Sequence, residues 1–380
     1  MLTRIDLEHF KCFELLKLPL GELTILSGPN ASGKSSVLQA LALLHQTMRD
    51  QEWSTRLLLN GSEVSLGTVV DVVDKVTGRH SFGIGIFDDD RHVHWTFSNE
   101  QRRDMSLQVS SIRFDRDEYF DQGALRHLLP LKVYQEWQGL AHRILRLSYL
   151  TAERIGPRDV YPLDDPISTQ IVGARGEHAA SLLHWERGEE VLPALAVDGY
   201  APTLLRQVEA RMSEFFPGCS LEVQPVLQAN GVTLGLRTSR ATDFHRSVHV
   251  GFGLTQVFPL VVAALSRREG DLLLIENPEV HLHPAGQAMM GHFLAQVAAA
   301  GIQVLIETHS DHVLNGIRRA AKAGTLGPEN ISIHFFRERD TETDQIISPT
   351  IDSSGNIDVW PKGFFDQFDK DMNYFAGWGN

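Results

Sequence analysis

Apolar and polar positions follow two rhythms along this chain. Leu2-Thr3-Arg4-Ile5, Phe10-Lys11-Cys12-Phe13 and Leu23-Thr24-Ile25-Leu26 are short runs, alternating or largely apolar, and read as strands. Residues 37–44 then take up helical spacing. Residues 81–87 and 92–97 read as a hairpin around Asp88-Asp89-Asp90, and residues 220–236 as a second hairpin turning at Asn230-Gly231. Helical periodicity returns over 115–147, through Leu125, Leu128, Leu129, Trp137, Leu140, Ile144 and Leu147, and again over 173–185, 204–216 and 257–265. Two nearly continuous apolar runs, 272–275 and 304–306, suit strands covered on both faces. The pattern predicts an α/β protein with several extended segments before its first helix.

Between the third strand and that helix lies Gly28-Pro29-Asn30-Ala31-Ser32-Gly33-Lys34-Ser35-Ser36, which fits G-x-x-x-x-G-K-[ST] without a mismatch. Gly28 and Gly33 let the backbone curl so that N–H groups point inward at phosphate oxygens, and the helix N-terminus adds partial positive charge. Lys34 then reaches the β- and γ-phosphates, and Ser35 places its hydroxyl on Mg²⁺. A Gly-Ser turn capping a helix is the plain alternative. The order strand, loop, helix selects the nucleotide-binding reading.

The apolar run 272–275 delivers Glu276 at its end, where a carboxylate can hold Mg²⁺ through water. Asn277 follows, and an amide positions water without accepting its proton. Glu279, two residues on, is the substitute base. His281 and His283 form a His-x-His that zinc could use, though a turn is the favoured reading. Asp88-Asp89-Asp90 reads as a solvated turn, since neighbours on an extended chain point apart. At Glu153, Arg154 and Arg158 a strand ends in a charged cluster, either facing a ligand crevice or forming a salt-bridged edge.

Phe10-Lys11-Cys12-Phe13 followed by a Gly-Pro-Asn-x-Ser-Gly-Lys-Ser loop resembles the N-terminal lobe of ABC-type ATPase heads, the branch with SMC proteins, RecF and the OLD-family nucleases. The resemblance implies a P-loop NTPase with a mixed or antiparallel N-terminal sheet, a parallel core sheet and short helical insertions. It also assigns roles to residues that would otherwise be structural guesses. Gly251, Gly253 and Gln256 stand where such heads carry a signature loop gripping the γ-phosphate held by the other subunit. They lack the Ser-Gly-Gly-Gln form. Asn277 stands where the usual catalytic glutamate would be, and His309 matches the switch histidine. The position of the SMC coiled-coil arm holds no sustained heptads here. Glu153 to Arg158 and residues 355–366 resemble segments of bacterial AAA-type ATPases related to the OLD group.

Composition narrows the partners. A formal charge of −13 over 380 residues argues against a surface given over to nucleic acid, while leaving DNA open as a local partner. Cys12 and Cys219 are too few for a disulfide framework or a cysteine metal site. Residues 1–19 alternate charged and apolar positions, and no run approaches about 18 apolar residues, so a cytoplasmic protein without a membrane anchor is expected. The expected organisation is an ATPase domain over 1–335, with helical insertions near 115–147 and 175–216, and a C-terminal segment over 336–380. Asp340, Glu342 and Asp344 could pass for a nuclease cluster, but so short a segment builds no nuclease domain. The expected activity is ATP hydrolysis with Mg²⁺, coupled to head-to-head assembly as a homodimer or higher even oligomer. By resemblance to Septu- and OLD-like phage-defence systems, that cycle would control a nuclease or toxin partner. A weakly hydrolysing nucleotide-sensing scaffold and a RecF-like repair ATPase are the alternatives.

Overall fold

The computed structural model describes residues 1–76, 78–88, 91–115, 117–120, 123–165, 171–239, 241–339 and 344–376. Strands β1 (Leu2–Phe10) and β2 (Phe13–Pro19) pair antiparallel. Phe10-Lys11-Cys12-Phe13 is therefore not a strand but the turn that joins them. Phe10 and Phe13 face each other across the ladder, both buried, and Lys11 takes a left-handed φ of 53° to close the turn. Strand β3 (Leu23–Ser27) is buried throughout and runs into the loop that precedes α1 (Lys34–Asp50).

Strand β4 (Arg56–Leu58) and the one-turn helix α2 (Val69–Val72) lead to β5 (Ser81–Asp88), β6 (Arg91–Ser98), β7 (Ser106–Phe114) and β8 (Asp117–Tyr119). They complete an antiparallel sheet of order β2-β1-β5-β6-β7-β4, with β8 added to β7. The first expected hairpin is formed by β5 and β6, in register from Ser81↔Ser98 to Asp88↔Arg91, while Asp89 and Asp90 lie outside the described residues. Of the helix expected over 115–147, only α3 (Tyr134–Leu145) forms, after the short pair β9 (Leu125–Arg126) and β10 (Leu129–Pro130). Leu125, Leu128 and Leu129 are buried as their spacing suggests. Left-handed backbone at His127 and Leu128, followed by Pro130, keeps that stretch out of a helix.

Strands β11 (Ser148–Leu150) and β12 (Tyr161–Pro162) come next, then α4 (Ala179–Trp185), which starts late because Gly173 and Gly176 sit at positive φ. Helix α5 (Leu204–Phe215) precedes the second hairpin, β13 (Ser220–Val226) and β14 (Gly231–Arg237), which turns through Asn230 at φ 43°. Strand β15 (His245–Arg246) pairs with β14. The chain then alternates: α6 (Phe252–Leu265), β16 (Leu272–Glu276), α7 (Pro284–Ala299), β17 (Gln303–Glu307), α8 (Asp311–Lys322), β18 (Ile331–Phe336). It ends with β19 (Ile346–Ile347) and α9 (Gln367–Phe375).

The central sheet has the order β11-β16-β17-β3-β18-β19, parallel except at its last pair. Its inner strands are apolar on both faces because helices and the antiparallel lobe cover them: Ile25, Leu274, Ile275, Leu305 and Ile306 are fully buried. Truncating any of these to alanine costs about 2–5 kcal/mol. Strand β17 is inserted between β3 and β16, with Glu276, Glu307 and Leu26 level across the three. Three strand ends therefore open at one edge, where an open α/β sheet forms its ligand crevice. Among the described residues no helix is long and apolar enough to cross a membrane.

Candidate functional site

The loop between β3 and α1 is shaped by two glycines that nothing else can replace. Gly28 has φ 138°, and a Cβ there would lie 2.3 Å from the Phe336 carbonyl oxygen of β18. Gly33 has φ 103°, and its Cβ would meet Cys12 Sγ at 2.5 Å and Phe13 Cζ at 2.6 Å. The β1–β2 turn and β18 thus clamp the loop from two sides. Ala31 adds a third positive φ, 63°. Gly33 supplies no side-chain cap to α1; the Ser36 amide turns back to the Gly33 carbonyl at 3.0 Å, and the amides of Lys34 and Ser35 are the ones placed for an external acceptor.

Ser32 Oγ donates to the Pro29 carbonyl at 2.9 Å, tying the loop across its base. Lys34 is buried and donates to the carbonyls of Gly28 at 3.1 Å and Pro29 at 2.8 Å. Its ammonium lies 3.6 Å from Glu307 Oε1. Burial pushes the lysine down, an effect the Glu307 carboxylate opposes. Burial likewise pushes Glu307 up, against hydrogen bonds from Ser35 and the charge of Lys34.

Glu276 ends β16 with both oxygens engaged. Tyr149 donates its hydroxyl to Oε1 at 2.5 Å, and the Ala152 amide donates to Oε2 at 3.0 Å. Arg154 donates to the carbonyls of Glu276 at 2.9 Å and Asn277 at 2.7 Å, fixing the turn behind the acid. Burial lowers Arg154 to about 10, which still leaves it charged at neutral pH. Of the two readings left open for the cluster after β11, Arg154 thus serves the strand end that carries Glu276. Asn277 has φ 45° and donates its amide to the Glu307 carbonyl at 2.8 Å. Glu279 accepts from Thr308 Oγ1 at 2.8 Å and from the His309 amide at 2.9 Å, so it orients the segment that presents the histidine. Partial desolvation of its ring, and then the Lys34 charge, hold His309 below the ordinary imidazole range. Both effects favour the neutral ring, which can donate one hydrogen bond.

The structure brings together Lys34, Ser35, Glu276, Asn277, Glu279 and His309 at the edge of three adjacent strands. Gly251, Gly253 and Gln256 belong to a separate element. Gly251 is the N-cap of α6 and the neighbouring Phe252 is 54% exposed. Gln256 is buried, with its amide 3.5 Å from the carbonyls of Arg154 and Ile155. His281 packs on Phe252, and His283 caps α7 through its Nδ1, so the His-x-His is used structurally. No group of three or more metal-capable side chains occurs among the described residues, and Asp340 and Glu342 lie outside them.

Three residues escaped sequence reasoning. Glu307 ends an apolar strand just as Glu276 does, and that shared signal could have marked it. Tyr149 carried none, because its partner lies 127 positions away. Lys11 closes the β1–β2 turn and donates to Gln39 Oε1 of α1, near enough to Glu276 to feel its charge. Cys12, a free cysteine, is half-buried against the P-loop.

Oxygen donors of Ser35 and Glu276 suit a hard cation such as Mg²⁺, and the curled backbone with its lysine suits a polyphosphate. The fold and this set of strand-end residues define a P-loop ATPase of the ABC-like kind. A family model of AAA domains, described with reference to an AbiEii toxin and type IV TA systems, matches residues 23–315, and the chain belongs to that family. A second family model, of a protein of unknown function, matches residues 326–374. A 44-residue stretch is 46% identical to the OLD nuclease of Thermus scotoductus; it covers 12% of this chain and 8% of that relative's length. The fold is that of an SMC head. An Smc head domain with an extended coiled coil, bound to the C-terminal domain of ScpA derived from Pyrococcus furiosus, matches with TM-score 0.54 and 12% identity over 99% of this chain and 98% of that one. An SmcHead bound to the C-winged helix domain of ScpA matches with TM-score 0.53 and 13% identity over 92% and 97%.

Proposed function

We propose that the protein binds ATP with Mg²⁺, hydrolyses it to ADP and phosphate, and associates head to head while ATP is bound. The cycle controls a partner effector, a nuclease or toxin, in cytoplasmic bacterial defence against phage. The observation that carries this reading is the position of Lys34, held at the loop carbonyls and 3.6 Å from Glu307 on the strand inserted beside β3. One cation thereby links the loop to the strand that presents His309. Ser35 and Glu276 would hold the magnesium ion, which neutralises phosphate charge when bound. Lys34 exchanges loop carbonyls for phosphate oxygens, the α1 amides orient the chain of phosphates, and His309 donates to its far end. Residues 1–335 are the ATPase in this reading, and 336–380 a segment attached to it.

The experiment is light scattering of the purified protein with ATP, ADP and a non-hydrolysable analogue, alongside phosphate release. Association with ATP and the analogue but not ADP supports the reading; nucleotide-independent size and no phosphate release refute it. A second reading, a sensor that binds ATP and barely turns it over, is favoured by one feature. Asn277 replaces the usual glutamate, and Glu279 already accepts from Thr308 and His309. Binding and association without phosphate release would select it.

A further inference from the structure

The chain beyond β18 returns to the P-loop twice. Gln345 donates from Nε2 to the Ser32 carbonyl at 3.5 Å and approaches Cys12 Sγ at 3.8 Å. Farther on, Phe364 is fully buried and packs edge-on against Phe335, with ring centroids 5.4 Å apart, which pins the turn around Gly363 beside the loop. Between the turn and the loop is a cleft of about 450 Å³. Gly28, Pro29 and His309 line it together with three cations of the C-terminal segment, Arg337, Lys362 and Lys370, and two acids, Glu338 and Asp366. Lys370 is paired with Asp366 at 2.7 Å, and Arg337 donates to the Asp344 carbonyl. Lys362 has no ion pair among the described residues.

The cleft lies at the terminal-phosphate end of the loop. Lys34 marks that end, because a P-loop lysine reaches the β- and γ-phosphates and its ammonium here sits on the carbonyls of Gly28 and Pro29. A cation that lines this cleft stands on the side where a nucleoside triphosphate differs from a diphosphate. We propose that the C-terminal segment forms, within the same chain, the outer wall of the nucleotide site, with Lys362 binding the terminal phosphate. The inference rests on the ATP-binding reading and adds a residue that separates ATP from ADP.

The test compares affinities of the full chain for a non-hydrolysable ATP analogue and for ADP, both with Mg²⁺. Lys362→Ala is expected to weaken the analogue about tenfold, the loss of one charge-assisted contact, and ADP less than about twofold. Lys362→Arg is expected to restore most of the difference. Equal losses for both nucleotides, or none for either, overturn the proposal. Should the alanine variant not fold, hydrogen exchange on the parent decides: the analogue is expected to protect residues 361–370 more than ADP does, and equal protection overturns it. A parent protein that binds neither nucleotide would instead refute the ATP-binding reading, and that result precedes any substitution.

Discussion

The Lys34 ammonium stands 3.6 Å from Glu307 Oε1, joining the head of α1 to the end of the neighbouring strand β17. Both groups are buried, and each is pushed by burial toward its neutral form while the other restrains it. In the proposed ATP-bound state the pair would have two separable duties, holding the loop and receiving phosphate. Lys34→Ala should weaken ATP binding by at least about tenfold and also destabilise the protein, by about 3–5 kcal/mol if Glu307 stays charged and less if it takes up a proton. Adding Glu307→Gln should recover stability without recovering binding. Denaturation and nucleotide titration of the single and double variants check both halves. ATP affinity equal to the parent's in Lys34→Ala would sink the P-loop assignment.

Glu276 and Glu279 should divide the chemistry of the site. Glu276→Gln is expected to weaken Mg²⁺-dependent nucleotide binding, because it removes the charge proposed to hold the metal and leaves one oxygen to serve both Tyr149 and the Ala152 amide. Glu279→Gln is expected to leave binding within about twofold and to slow phosphate release by 10²-fold or more, the usual range for losing an acid–base group. An unchanged rate in the Glu279 variant would place the base elsewhere.

For the association step, Gly253 is a poor place to test the α6 entry, since a Cβ there would lie 2.9 Å from the His281 carbonyl and disturb the chain's own packing. Gly251 is cleaner: its φ is −62° and the nearest atom to an added Cβ is 3.9 Å away. Gly251→Arg should bind ATP like the parent and fail to associate on ATP. Light scattering that still shows nucleotide-dependent association would remove this loop from the interface.

Away from the site, burial raises Glu63 from 4.5 to about 7 despite its 2.8 Å ion pair with Arg49. A carboxyl whose pKa is higher in the folded state stabilises the fold below the unfolded value, and that contribution is lost as pH rises through the folded value. The parent should therefore lose up to about 3 kcal/mol from this group between pH 4.5 and 7. Glu63→Gln should lack that loss, so its melting temperature relative to the parent should climb from pH 5 to pH 7 and then level off. A difference independent of pH would show that the side chain is ionised throughout.

Local pattern sufficed for whatever local physics decides. The P-loop was legible because phosphate binding by backbone needs glycines at fixed offsets between a strand and a helix. Glu276 was legible because a charge ending a buried apolar strand must face something that accepts it. The β5–β6 and β13–β14 hairpins followed from alternation and turn residues. The turn at Lys11 was not legible, because Phe10 and Phe13 suit a strand as well as the two corners of a turn. Nor was the break before α3, since the spacing of Leu125, Leu128 and Leu129 satisfies a helix and a short strand pair equally. Only the tertiary structure put β17 beside β3, which sets Glu307 against Lys34, put β11 beside β16, which sets Tyr149 against Glu276, and brought Lys362 to the cleft that Gly28 lines. Those pairings join residues more than a hundred positions apart, and strand order, which no local periodicity encodes, decides which of them meet.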